Sequence, residues 1–105
     1  MVDTAGALTE SVVKEMGLTP GGFARTLPNA AGHWSVEGQG LHYLLFDTAA
    51  PAQCIEILLT EQPDRCIASI CLPVTRVELR FTGMDEVQRQ AFLQRFDLYF
   101  QKGGG

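Results

Sequence analysis

The side chains best suited to chemistry in this sequence are two histidines, His33 and His42, and three cysteines, Cys54, Cys66 and Cys71. Imidazole and thiolate are the usual ligands of zinc, but a metal clip needs them at short, fixed spacings. No C-x-x-C or H-x-x-x-H pair is present. With four residues between them, Cys66 and Cys71 would point to opposite faces of a single strand and could not share an ion. Set among Ile67, Ala68 and Ile70, they read as small core residues. His33 and His42 flank a candidate hairpin and could meet across two paired strands, although a one-residue change of register would part them. They form the candidate ligand-binding pair; no metal ligand is assigned and no cofactor is expected.

Catalysis needs a nucleophile or an acid–base pair held against an orienting group. Ser11, Ser35 and Ser69 lie in no G-x-S-x-G setting, and Glu10, Glu15, Glu56, Glu61, Glu78 and Glu86 read as solvated faces or helix starts. No glycine-rich loop joins a strand to a helix in phosphate-binding form. No catalytic residue is assigned, and the reading leans away from an enzyme. The net charge of −4 and only eight basic residues, no three of them adjoining, argue against nucleic-acid backbone and anionic membrane as partners. An odd cysteine count suits a reducing compartment, and the opening residues lack the basic start and apolar run of a secretory leader. A cytoplasmic location is therefore expected.

The elements that must position these groups follow from periodicity. The 105 residues, 46% apolar and 19% charged, fit one globular domain spanning 1–105, with loose ends at 1–3 and 103–105. Ala5, Leu8, Val12, Val13 and Met16 recur at helical spacing, with Asp3 or Thr4 as cap and Gly17 as stop. Thr19-Pro20 begins a second helix, which Gly21-Gly22 weakens and Pro28 ends. From His33 the period becomes two, and Gly38-Gln39-Gly40 predicts a hairpin into residues 41–46, apolar on both faces and so inside the sheet. Strands follow over 54–60, 66–72 and 74–82, parted by a turn at Gln62-Pro63-Asp64 and by Pro73. In the last strand Val77, Leu79 and Phe81 alternate with Arg76, Glu78 and Arg80. Asp85 and Gln88 form a capping box for a long final helix, with Lys102 near its end and Gly103 as stop. The expected fold is α+β: an antiparallel meander of four to five strands, with short N-terminal helices and a long C-terminal helix packed on one face.

On that final helix, Met84, Val87, Ala91, Phe92, Leu93, Phe96, Leu98, Tyr99 and Phe100 cover roughly 240° of the circumference at ~100° per residue. One sheet needs an apolar stripe of only about 100–140°. The excess is covered by the N-terminal helix, by another protein chain, or by a small molecule in a helix–sheet pocket. The aromatic stripe is expected on the sheet, which leaves Val87, Ala91 and Leu98 as the candidate interaction surface. The leading functional reading is a non-catalytic interaction or accessory module, as a homodimer or bound to a different protein. The alternative is a small-molecule or metal/haem carrier using the pocket and the two histidines.

Two resemblances bear on this. Residues 9–27, read as a helix ending at Gly17, a turn with Leu18 and a second helix, resemble a bacterial helix-turn-helix module, which would imply DNA binding. The recognition helix would then hold Gly21-Gly22, Pro28 and a single base, Arg25, where groove reading needs several polar or basic side chains. The same stretch, continued through Leu27-Pro28 to Trp34 and the strands, resembles the entry to bacterial haem-utilisation carrier domains. That likeness implies short helices before a large antiparallel sheet; the chain is shorter than that family, and no motif carries a haem ligand onto His33 or His42. Elemental analysis of the purified protein is expected to find no stoichiometric transition metal, and about one zinc, iron or copper per chain would overturn the ligand-spacing argument.

Overall fold

The computed structural model describes the backbone of residues 9–104 and the side chains of residues 10–101. In chain order the elements are β1 (Thr9–Met16), α1 (Pro20–Ala31), β2 (Ser35–Gln39), β3 (His42–Phe46), β4 (Cys54–Ile67), β5 (Ile70–Thr82) and α2 (Glu86–Gly104). The strands form one antiparallel sheet in the order β1-β5-β4-β3-β2. Strands β2 to β5 are a meander, and β1 returns to flank β5. The fold is α+β, as the periodicity predicts.

Alternation in β4 and β5 decides which face is covered. Ile55, Ile57 and Leu59 stand opposite Phe81, Leu79 and Val77, and all six are buried. The intervening Glu56–Arg80 and Thr60–Arg76 pairs turn to the open face. Gly83, at φ +75°, makes the turn from β5 into α2; a Cβ there would sit 2.3 Å from the Ala52 carbonyl oxygen, so only glycine fits. The capping box forms as expected: the Gln88 N–H donates to Asp85 Oδ1 (2.8 Å) and the Asp85 N–H donates to Gln88 Oε1 (2.9 Å). At the start of α1, Thr19 Oγ1 accepts from the Gly22 N–H at 3.0 Å with Pro20 in the first turn.

The two helices are joined through aromatic rings. Phe23 of α1 stacks on Phe100 of α2 at 4.9 Å, Phe100 meets Phe96 at 4.5 Å, and Phe92 meets Phe81 of the sheet edge-on at 5.8 Å. Two polar groups on the covered face are satisfied. The Thr75 hydroxyl donates to the Leu18 carbonyl oxygen at 2.7 Å, and Lys14 Nζ lies 3.1 Å from Asp97 Oδ1 on α2.

Several expectations are corrected. Residues 9–16 are a strand and not a helix, which also removes the helix-turn-helix likeness. Val12 and Met16 suit either period, and pairing with Leu79 and Thr75 along the edge of β5 outweighs local preference. The rest of that expected helix, with Ala5, Leu8 and its cap, lies outside the described residues. The element beside α2 is therefore α1. Pro28 does not end α1, because continuing the helix buries Ala30 and Ala31 beside Phe23 and Leu27 while the proline stays exposed. The segment at Pro63-Asp64 is a bulge within β4 where two residues oppose one, Pro73, in β5; bulges accommodate the missing N–H of proline. The turn lies instead between Ile67 and Ile70, with Ala68 at φ +55°. Residues 66–72 thus bend back on themselves, and Cys66 and Cys71 face each other as a disulfide. Gly103 lies within α2 and does not stop it; the expectation of a loose segment at 1–3 lies outside the described residues.

Phe96 is fully buried at the junction of both helices and the sheet. Phe96→Ala is expected to cost about 3–5 kcal/mol in denaturant unfolding, the usual penalty for truncating a core aromatic. Coincident unfolding curves for variant and parent would contradict this placement.

Candidate functional site

Beyond the body of the sheet, β4 and β5 continue without flanking strands among the described residues. The last pairing that β3 offers β4 is His42↔Leu58, and β1 reaches β5 only as far as Met16↔Thr75. The remaining hairpin is a two-stranded arm that lengthens the molecule to 52 Å against 28 and 24 Å in the other directions. A two-stranded hairpin alone is marginally stable in water. Here the Cys66–Cys71 disulfide closes the tip, and Arg65 reaches back to Glu15 of β1 at 3.4 Å.

Register assigns the faces of the arm. Cys66 is opposite Cys71, so the flanking pairs Ile67↔Ile70 and Arg65↔Leu72 project from the other face. Ile67, Ile70 and Leu72 are 70%, 62% and 55% exposed. Single exposed aliphatics are ordinary, but here three adjoin on one face of the projection.

That aliphatic face runs on into the open face of the sheet, which is charged. His42 Nε2 lies 2.7 Å from Glu56 Oε2, Arg80 approaches Glu56 at 3.6 Å and bonds Glu78 at 2.9 Å, and Arg76 stands 3.9 Å from Glu78. The hydrogen bond to Glu78, and then the charge of that carboxylate, hold the Arg80 guanidinium above its ordinary pKa. Each pair is at the surface and contributes little to stability singly. Together they leave little free positive charge for a phosphate backbone.

The two candidate histidines are not brought together. His42 lies on the open face, where β2 and β3 turn, whereas His33 precedes the other end of that hairpin and sits 3.2 Å from Asp47 Oδ2. Of the candidate interaction residues, Val87 and Leu98 are 78% and 53% exposed and Ala91 is exposed. Val87 and Leu98 stand roughly 16 Å apart along α2, with exposed Gln90 and Gln94 between them, so they form no continuous patch. Cys54 is a free thiol on the open face. Among the described residues no group of three His, Cys, Asp or Glu side chains is arranged to hold a metal ion, and no helix is long and apolar enough to cross a membrane.

The arm's signal in the sequence is symmetry. Cys-Ile-Ala-Ser-Ile-Cys is palindromic about a two-residue loop, so a tight hairpin brings isoleucine to isoleucine and cysteine to cysteine. The odd cysteine count and the turn-like Gln62-Pro63-Asp64 obscure it. No family model, curated protein or solved structure matches the chain.

Closing so short a loop is worth about 2 kcal/mol. Replacing both Cys66 and Cys71 with Ser is therefore expected to speed trypsin cleavage after Arg65 by roughly 30-fold, since proteolysis tracks local opening. Equal cleavage rates would show that the arm does not depend on its staple.

Proposed function

We propose that the chain is a non-catalytic interaction module that engages another protein chain through the aliphatic face of the β4–β5 arm. The observation that supports this is the exposure of Ile67, Ile70 and Leu72 side by side on a stapled projection. Burying each such side chain in a partner's apolar groove contributes about 1.5–3 kcal/mol. The staple has already ordered the arm, so less conformational freedom is lost on docking. Both arm edges also carry backbone N–H and C=O groups beyond the reach of β1 and β3, suited to strand addition. The outer stripe of α2, Val87, Ala91 and Leu98, is the weaker contact because its apolar groups are separated. Nucleic acid is disfavoured by the net charge and by the pairing of Arg76 and Arg80 with glutamates. The cysteine count no longer argues for a cytoplasmic setting, since disulfides persist in oxidising compartments.

A photo-reactive phenylalanine analogue at position 70, compared with one at position 98, tests this in the native cell. Protein adducts are expected from position 70. Adducts from position 98 alone would move the interface to α2, and none from either would remove the interaction reading. The double variant Ile67→Asp/Leu72→Asp, with the photo-reactive analogue kept at position 70, is expected to melt within about 2 °C of the analogue-bearing parent, because both side chains already face water, while its adducts disappear.

A further inference from the structure

At the end of β4 opposite the arm, roughly 40 Å from its tip along the strand, a cleft of about 380 Å³ opens between α1, the start of β2, the β3–β4 loop and α2. Trp34, Met84 and Phe92 form its apolar lining. Met84 and Phe92 are buried, and Trp34 meets Phe92 edge-on at 6.3 Å with His33 stacked on it at 5.5 Å. The volume suits a compound of one or two rings.

The charged groups at the rim are not equally available. Asp47 is engaged at both oxygens: Oδ2 lies 3.2 Å from His33 Nε2, and Oδ1 accepts from the Ala49 N–H at 3.0 Å. Arg95 differs. Its guanidinium lies 4.5 Å over the Tyr99 ring and donates one hydrogen bond, 3.0 Å, to the Asn29 carbonyl oxygen in the last turn of α1. No carboxylate pairs with it among the described residues. A guanidinium has five N–H donors, so most remain free. Gly32, at φ +67°, leaves room for this side chain, since a Cβ there would fall 2.8 Å from Arg95 Nε. The cation is thus held in one place at the mouth of an apolar cleft.

The geometry points to a binding site for a small aryl carboxylate, its ring against Trp34, Met84 and Phe92 and its carboxylate on the free N–H groups of Arg95. Guanidinium and carboxylate match as a bidentate pair, and a charge-assisted bond of this kind is about twice as strong as a neutral one. This site is separate from the arm, so either can fail without the other.

Trp34 is the single tryptophan, so its indole N–H gives one resonance that reports on the cleft. Titration with 3-phenylpropionate is expected to shift that resonance saturably, with 3-phenylpropionamide and 3-phenylpropylamine at least roughly tenfold weaker. Arg95→Gln should erase the preference for the acid, and Arg95→Lys should keep part of it. If Arg95 only caps α1, Arg95→Gln would lower stability and leave the ranking of the three compounds unchanged. Ala91→Leu, which narrows the cleft from an exposed position and leaves Arg95 in place, should weaken all three compounds. Equal affinity for acid and amide, a ranking indifferent to Arg95→Gln, or no saturable shift up to about 10 mM acid would each overturn the assignment.

Discussion

Pairing of β4 with β5 is the interaction on which the other elements depend. It runs from Cys54↔Thr82 to Ile67↔Ile70, farther than any other pairing in the sheet. β5 offers its outer edge to β1, and β4 offers its outer edge to β3. Neither flanking strand has a long apolar run of its own: β1 carries Lys14 and Glu15, and β3 is five residues long. The covered face of the same ribbon, with Ile55, Ile57, Leu59, Val77, Leu79 and Phe81, is the surface on which both helices rest. Phe96 and Phe100 on α2 and Phe23 on α1 then turn two separate helix contacts into one aromatic cluster.

The ribbon is longer than its cover, and the two candidate sites follow from that mismatch. At one end the helices, the β3–β4 loop and the start of β2 crowd around the ribbon, and imperfect closure between them leaves the cleft beside Trp34. At the other end no described strand or helix crosses the ribbon, and residues 63–72 of the arm are exposed. The helices also set the difference in polarity. Where they cover the sheet, Lys14 requires Asp97 and Thr75 requires the Leu18 carbonyl; on the open face His42, Glu56, Arg80, Glu78 and Arg76 share one another's charge and water.

Legibility in the sequence followed the range of the interactions. Val77-Glu78-Leu79-Arg80-Phe81 is an unambiguous period of two, and Asp85 with Gln88 or Thr19 with Pro20 are caps whose partners lie within one turn. These were readable because the physics is local. Val12, Val13 and Met16 fit both periods, and only the free edge of β5 selects a strand. Pro28 and Pro63 look like stops, and each is absorbed where burial or a bulge compensates for the lost N–H. The cleft was the least legible feature. Arg95, Tyr99, Asn29 and Gly32 come from two helices and a loop, and no spacing within either segment marks them as one group. Only its chemistry marks His33, and His42, its expected companion, pairs with Glu56 on the opposite face.

The disulfide closes a segment that begins at an irregularity in the β4–β5 register. Pro63 and Pro73 each lack an N–H, and they lie across from each other at the bulge, just where β1 ceases to support β5. Pro73 is in step with Thr75 and Val77, whose backbones face β1, so its missing N–H falls on the free edge, and the three pairs beyond, Arg65↔Leu72, Cys66↔Cys71 and Ile67↔Ile70, are reached by neither β1 nor β3. A slip of one residue in such a segment would send its side chains to the other face and scatter the aliphatic surface. A covalent link at the middle pair forbids that slip. With the register held, Ile67, Ile70 and Leu72 stay together on one face of the arm.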